Sequence, residues 1–170
     1  MTAPHTFLNE ASEPAAVALL ARCCGATRWV HGMVLRRPFA STDALLDAAD
    51  DVWRALGTND QLEAFTHHPR IGDDLAALRA TFASTADLSG AEQSGVEGAS
   101  DAVLEALRDA NEAYFARFGY IFIVCATGKT APEMLALLRA RLGNPPAEEI
   151  SIAAAEQAKI TRLRLQKMAP

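Results

Sequence analysis

Apolar residues recur along most of this chain at every third or fourth position, a spacing that predicts amphipathic helices. The clearest example begins at Ser41 and ends at Gly57. Its apolar residues fall on one helical face: Leu45, Leu46, Ala49, Val52, Trp53 and Leu56. The same spacing, with caps such as Ser12 and Gly25, predicts further helices over residues 12–24, 27–36, 100–118, 130–143 and 147–168.

The pattern between these helices is weaker. A short helix is predicted before the two adjacent histidines, with Asn59 as its N-cap and with Leu62 and Phe65 on its apolar face. From Pro69 to about Gly98 the chain has several glycines and many small polar residues, so loops and short helices are expected there.

One stretch, "YIFIVCAT" from Tyr120 to Thr127, departs from the helical pattern because it is apolar, β-branched and bounded by glycines. A single strand cannot form a sheet. The predicted fold is therefore all-α: a single-domain helical bundle over residues 1–170 with one short buried extended segment. Thr130 and Glu133 predict a capping box at the start of the next helix.

Composition excludes several classes of function. The 170 residues carry a net charge of −5 and include only three lysines, which argues against binding to nucleic acid or to an anionic membrane surface. No apolar run approaches the roughly 18–20 residues of a membrane span. The N-terminus lacks the pattern of a secretory signal, and three cysteines, two of them adjacent, do not suggest a disulfide framework. A cytoplasmic location is expected.

The stretch "AFTHHPRIGDD" from Ala64 to Asp74 is the richest in candidate chemistry. A metal site is disfavoured because His67 and His68 diverge by about 100° on a helix, and no common metal-ligand spacing is present. A phosphate-binding loop at Gly128-Lys129-Thr130 is disfavoured as well, because Ile123 stands where that loop needs glycine.

The His-Pro step leaves two interpretations of His68. Proline disfavours the α conformation in the residue before it, so His68 is expected at a helix end in an extended conformation. A histidine there is well placed to transfer a proton at neutral pH. The alternative is a histidine that only caps the carbonyls of the helix.

Other polar residues also have two interpretations. In the last helix Ala153, Gln157, Ile160 and Arg164 fall on one stripe, so Arg164 is expected to face inward and to need an anion, either a protein carboxylate or a ligand. Glu92 and Gln93, in "LSGAEQSG", form either a solvated turn or a polar loop.

Taken together, these segments resemble a known family. "HPRIGD", "SGAEQSG", "NEAYFARFGYIFIVCATGKT", "LLRARLGNPPAEE" and "KITRLRLQKM" occur in the order found in the 2-oxo-4-hydroxy-4-carboxy-5-ureidoimidazoline (OHCU) decarboxylases of urate breakdown. The resemblance extends from about Phe7 to Met168. It implies an all-α fold, a homodimer, no cofactor and no metal, and conversion of OHCU to (S)-allantoin and CO2.

The resemblance also implies site residues. Catalysis falls on His68, which directly precedes the proline, and on Glu92. Substrate binding falls on Pro69, Ser89, Gln93 and Arg164, and on the backbone of Phe122, Ile123, Val124, Cys125 and Ala126. Ile121 departs from the family, many members of which have proline there, and this could change how the backbone of that segment is presented.

Two alternatives to this function are open. One is a decarboxylase or lyase that acts on another ureide ring, which the same residues would serve. The other is a non-enzymatic helical interaction module, which predicts an exposed apolar patch and no convergence of His68, Glu92 and Arg164.

Overall fold

The computed structural model describes residues 2–69 and 100–168, and within those ranges the regular structure is helical, with no strand. The helices are α1 (Pro4–Glu10), α2 (Glu13–Cys23), α3 (Thr27–Leu35), α4 (Thr42–Arg54), α5 (Thr58–Thr66), α6 (Asp101–Phe118), α7 (Ala131–Leu142) and α8 (Pro146–Gln166). The all-α prediction is confirmed. None of the helices within these ranges has the length and apolarity that a membrane crossing requires.

The chain folds into two compact units. The first unit comprises Met1–His68 with Ala154–Pro170, and the second comprises Pro69–Ala153. Helix α8 therefore contributes its residues before Ala154 to the second unit and its remainder to the first. The single family domain expected over residues 1–170 stays a prediction.

Helix starts follow the capping residues in the sequence. The hydroxyls of Ser12, Ser41 and Ser100 each accept a hydrogen bond from the backbone N–H three residues on, which satisfies a donor that the first helical turn leaves free. Thr130 and Glu133 form the predicted capping box of α7. The predicted N-cap Asn59 is wrong: Gly57 caps α5, and the Asp60 carboxylate accepts the Gly57 N–H at 3.2 Å.

The predicted apolar face of α4 is confirmed in the first unit, where all its members except the half-buried Leu56 are buried. Two tryptophans link helices of this unit through hydrogen bonds donated by their indole N–H groups. Trp29 donates to the Ala49 carbonyl at 3.1 Å, and Trp53 donates to the Ala154 carbonyl at 3.0 Å. Gly32 lets α3 approach α4 closely, because a Cβ there would lie 2.8 Å from Val52 Cγ1.

The second unit pairs α6 with α7 and contains the predicted extended segment. Leu104, Leu107, Asn111 and Tyr114 form the buried stripe of α6. The "YIFIVCAT" stretch is extended without a strand partner in the described residues. Phe122 and Ile123 are buried in it, which confirms the prediction.

Candidate active site

His68 lies just beyond the end of α5, as predicted from the proline that follows it. The helix ends at Thr66, His67 is the C-cap, and the His68 N–H donates to the Phe65 carbonyl at 3.3 Å. The His68 side chain is half-buried, whereas His67 and Pro69 are exposed.

The imidazole of His68 is held by a polar chain from α8. Its Nε2 lies 2.5 Å from Gln157 Oε1, and Gln157 Nε2 lies 3.1 Å from Thr161 Oγ1. The Thr161 side chain in turn bonds to the Cys24 thiol. Gln157 has no exposed surface, and Thr161 and Cys24 are buried as well.

This environment favours a neutral imidazole. Burial lowers the pKa of His68 from its ordinary 6.5; the Gln157 bond opposes that shift, and the positive charges of Arg164 and His67 reinforce it. A neutral imidazole has one N–H and one lone pair, so it can accept a proton at neutral pH and then return it.

Arg164 is half-buried, and its guanidinium bonds to backbone carbonyls. Its Nη1 donates to the carbonyls of Arg22 and Cys23, at the end of α2, at 3.3 Å each. No carboxylate in the described ranges forms an ion pair with it, so the internal ion pair considered from the sequence is not found there.

A half-open cavity of about 430 Å³ in the first unit includes Arg164. Its other lining residues are Leu19, Arg22, Cys23, Lys167 and Met168. Three cationic side chains around one cavity favour an anionic ligand. The Cys23 thiol in the same cavity is uncharged. Burial raises its pKa to about 11, although the positive charges of Arg164 and Arg22 act to lower that pKa.

His67 packs against the backbone of Gly25. A Cβ on Gly25 would lie 2.3 Å from Cγ and 2.7 Å from Cβ of His67, which is closer than real atoms approach. Gly25 therefore makes room for the turn that carries both histidines.

The Phe122–Ala126 segment lies in the second unit, where side chains already occupy part of its backbone. The Ile123 carbonyl accepts a hydrogen bond from Arg141 Nη1 at 2.7 Å, and the Cys125 carbonyl accepts one from Lys129 Nζ at 2.8 Å. Lys129 thus has a backbone partner, and Thr130 caps α7.

Three predicted site residues, Ser89, Glu92 and Gln93, lie outside the described residues. Their roles stay predictions, as do those of His68, Pro69, Arg164 and residues 122–126. Within residues 2–69 and 100–168 no group of three or more His, Cys, Asp or Glu side chains is arranged to hold a metal ion.

Sequence reasoning missed the contact between Gln157 and His68. It placed Gln157 on the inward stripe of the last helix but gave it no partner. The available signal was Gln157 followed by Thr161, two polar residues four positions apart on the inward side of the last helix. Such a pair needs buried partners, and His68 and Cys24 are those partners.

Comparisons with known proteins agree with this fold. The OHCU decarboxylase family profile matches residues 9–166. The protein named uric acid degradation bifunctional protein TTL, from Arabidopsis thaliana, is 38% identical over 148 residues, or 86% of this chain and 45% of that protein. The 2-oxo-4-hydroxy-4-carboxy-5-ureidoimidazoline decarboxylase of Amia calva is 33% identical over 131 residues, or 76% of this chain and 73% of that one.

A solved structure is also similar. An OHCU decarboxylase crystallised in the presence of (S)-allantoin superposes with a TM-score of 0.73 at 34% identity, covering 92% of this chain and 97% of that one. The chain belongs to the OHCU decarboxylase family. The family expected from the motifs is thereby confirmed, and the reaction for which it is named is that of a carbon–carbon lyase.

Proposed function

We propose that this protein converts OHCU to (S)-allantoin and CO2 in urate degradation, with His68 as the group that transfers a proton. The observation that carries the proposal is the family match over residues 9–166. The similarity to a decarboxylase crystallised with (S)-allantoin supports the choice of product.

The reaction follows from the structure of the substrate. C4 of OHCU carries a hydroxyl and a carboxylate, and C5 carries the ureido group and an imine-type bond to ring nitrogen. When CO2 leaves, the electron pair of the C4–carboxylate bond forms a C4=C5 bond, and the imine pair moves to nitrogen, which takes a proton. The ring itself therefore accepts the charge that decarboxylation releases.

The resulting enol must become the ketone of allantoin. The hydroxyl on C4 loses its proton, and a proton is added to C5 on one face, which sets the S configuration. Overall the substrate carboxylate and one proton from solvent give neutral allantoin and CO2. A neutral imidazole suits the exchange between oxygen and C5, because it can take the first proton and supply the second.

The remaining residues bind and orient the substrate. Arg164 holds the carboxylate or a ring carbonyl, and the cations that line its cavity support an anionic ligand. Glu92, with Ser89 and Gln93, orients the ring and the ureido group. Pro69 and backbone groups of residues 122–126 complete the binding of the amides, with Ile123 and Cys125 already using their carbonyls elsewhere.

Freshly generated OHCU decays in solution, so the test follows its decay with and without the protein. Circular dichroism of the allantoin formed is recorded at the same time. We expect fast appearance of optically active (S)-allantoin. Decay at the spontaneous rate to racemic product would contradict the proposed function.

We also propose that two copies of the chain associate, and that the protein works in the cytoplasm. Both rest on the family resemblance and on composition. Sedimentation velocity is expected to give twice the 18.2 kDa of one chain, and a species of single-chain mass at micromolar concentration would contradict the dimer. Cell fractionation tests the location.

A further inference from the structure

The side chain that hydrogen-bonds to the proposed catalytic histidine is an amide and not a carboxylate. Gln157 is fully buried on α8, and its Oε1 lies 2.5 Å from His68 Nε2. An amide oxygen has lone pairs and no proton, so the hydrogen of this bond must come from Nε2. The His68 lone pair is then on Nδ1.

The rest of the chain supports this direction. Gln157 Nε2 donates to Thr161 Oγ1 at 3.1 Å, and the Thr161 hydroxyl donates to Cys24 sulfur, where it lowers a thiol pKa that burial raises to about 11. In the reverse direction the thiol would have to donate first, and a thiol is a weak donor. The forward direction uses the imidazole, amide and hydroxyl donors, and it ends on sulfur.

The charged groups near His68 do not oppose this arrangement. Arg164 on α8 and His67 at the C-cap of α5 both disfavour a second proton on the ring, whereas the Gln157 acceptor favours one. At the end of α2, Cys23 and the C-cap residue Cys24 stay protonated because burial raises the pKa of each to about 11. The hydrogen-bond chain that meets the ring is therefore neutral.

We propose that Gln157 is a positioning residue that fixes His68 in the tautomer protonated at Nε2, so that Nδ1 is the atom that exchanges a proton with the substrate. This inference rests on the proposed function for its chemistry. The proton on Nε2 stays on that nitrogen, hydrogen-bonded to Gln157 Oε1, throughout the cycle. Nδ1 takes the C4 hydroxyl proton, which gives an imidazolium, and then delivers a proton to C5, which restores the neutral ring.

The first test needs no substrate. Long-range ¹H–¹⁵N spectra of the ¹⁵N-histidine-labelled protein at pH 7 identify which His68 nitrogen carries hydrogen, with His68→Asn used to assign the signal. We expect a protonated Nε2 and an unprotonated Nδ1. A ring protonated at Nδ1 alone would overturn the proposal.

Variants of Gln157 test its role. Gln157→Met keeps much of the shape but removes the acceptor, so the His68 signals should become those of mixed tautomers. Gln157→Glu places a carboxylate at Nε2 and should raise the pKa of His68, so that both nitrogens carry hydrogen over a wider pH range. Gln166→Glu, an exposed change of the same charge on the same helix, should leave the His68 spectrum unchanged. Spectra of the two Gln157 variants that match the wild type would overturn the proposal.

Turnover gives a second readout. Gln157→Met should lower kcat severalfold while KM changes little, because the base is misoriented and the substrate groups are intact. Gln157→Glu should move the acid limb of the kcat/KM profile to higher pH, since the neutral ring that accepts the proton is then lost at higher pH. An acid limb unchanged from that of Gln166→Glu would contradict the positioning role. If the wild-type protein does not turn over OHCU, the proposed function is wrong. The spectra would still identify the tautomer of His68.

Discussion

Each unit of the molecule contains a buried polar network, and the two networks differ in charge. In the first unit, His68, Gln157, Thr161 and Cys24 form a chain of neutral groups. In the second unit, the carboxylate of the fully buried Glu149 accepts hydrogen bonds from Tyr114 at 2.5 Å, Arg141 Nε at 2.7 Å and Asn144 at 2.9 Å.

The charged network holds backbone in place. Arg141 is only 7% exposed, lies 4.5 Å above the centre of the Phe122 ring, and donates to the Ile123 carbonyl. The extended segment has no strand partner in the described residues, so these contacts replace a sheet. Burial and the bond to Glu149 raise the pKa of Tyr114 far above its ordinary range, so its proton stays in place.

The neutral network suits a different purpose. A proton can leave or join His68, since the hydrogen-bond partner of its ring carries no charge that would fix the protonation state. The comparison therefore separates a network that contains a buried ion pair, Arg141 with Glu149, from one whose imidazole, His68, can gain or lose a proton. Three predictions test that separation, and a fourth tests the turn that carries the histidines.

The largest effect is expected from His68→Asn. The variant should lower kcat about 10²–10⁴-fold, the usual contribution of a general acid–base group. It should remain folded, with a stability loss of about 1–3 kcal/mol because the Gln157 acceptor loses its donor. Initial rates of OHCU loss and urea unfolding measure the two effects.

His67→Asn is the matched control for that variant, because His67 is the adjacent, exposed histidine. It should keep most of the activity. If His67→Asn abolishes turnover and His68→Asn does not, the assignment of the two histidines is reversed.

The charged network should respond in stability. Arg141→Met leaves Glu149 buried without its cation, and breaking a buried ion pair costs about 3–5 kcal/mol. Urea unfolding should show this loss, whereas Arg139→Met, an exposed change on the same helix, should cost no more than about 0.5 kcal/mol.

A double variant makes this prediction sharper. Arg141→Met with Glu149→Leu removes both charges, so it should recover part of the loss. An unfolding free energy for Arg141→Met equal to that of Arg139→Met would contradict a structural role for the charged pair.

Local signals in the sequence explain which parts of the fold could be predicted. Ser41 and Thr130 each bond within three residues along the chain, so their caps are visible in a short window. Helix α1 was missed because it has only seven residues and its N-cap, Ala3, makes no side-chain cap bond. Asn59 was predicted because asparagine is a good N-cap, but Gly57 is the N-cap and the Asp60 carboxylate accepts its N–H.

In the candidate site, too, the features that could be predicted depend on residues that are neighbours along the chain. The position of His68 at a helix end follows from Pro69, its immediate neighbour. Its partner Gln157 is 89 positions away along the chain, so only the folded structure brings the two side chains together. The inward direction of Arg164 was predicted, yet its carbonyl partners depend on where α2 ends.

A smaller effect is expected from Gly25→Ala. The added Cβ would meet His67, and overpacking of this kind costs about 1–3 kcal/mol. Gly143→Ala is the control in the second unit, because its Cβ would meet only the Ala140 carbonyl oxygen at 3.7 Å and its backbone is already helical. Thermal unfolding should show a loss for Gly25→Ala and no loss for Gly143→Ala. Equal melting temperatures would mean that the turn carrying the histidines moves freely.

The smallest effect concerns pH. The pKa of His68 is lower in the folded protein than its ordinary 6.5, so below that pH the unfolded chain binds more protons than the folded one. Stability should therefore fall as the pH is lowered through 6.5 toward the folded pKa, by less than about 1.4 kcal/mol per pH unit for one group. Urea unfolding at intervals between pH 5 and 7.5 should show a shallower slope of unfolding free energy against pH in His68→Asn than in the wild type.

Since Arg141→Met leaves the neutral network intact, it should keep the wild-type slope although its stability is lower throughout. A wild-type slope in His68→Asn would mean that another group titrates, and the neutral network would lose its distinguishing property.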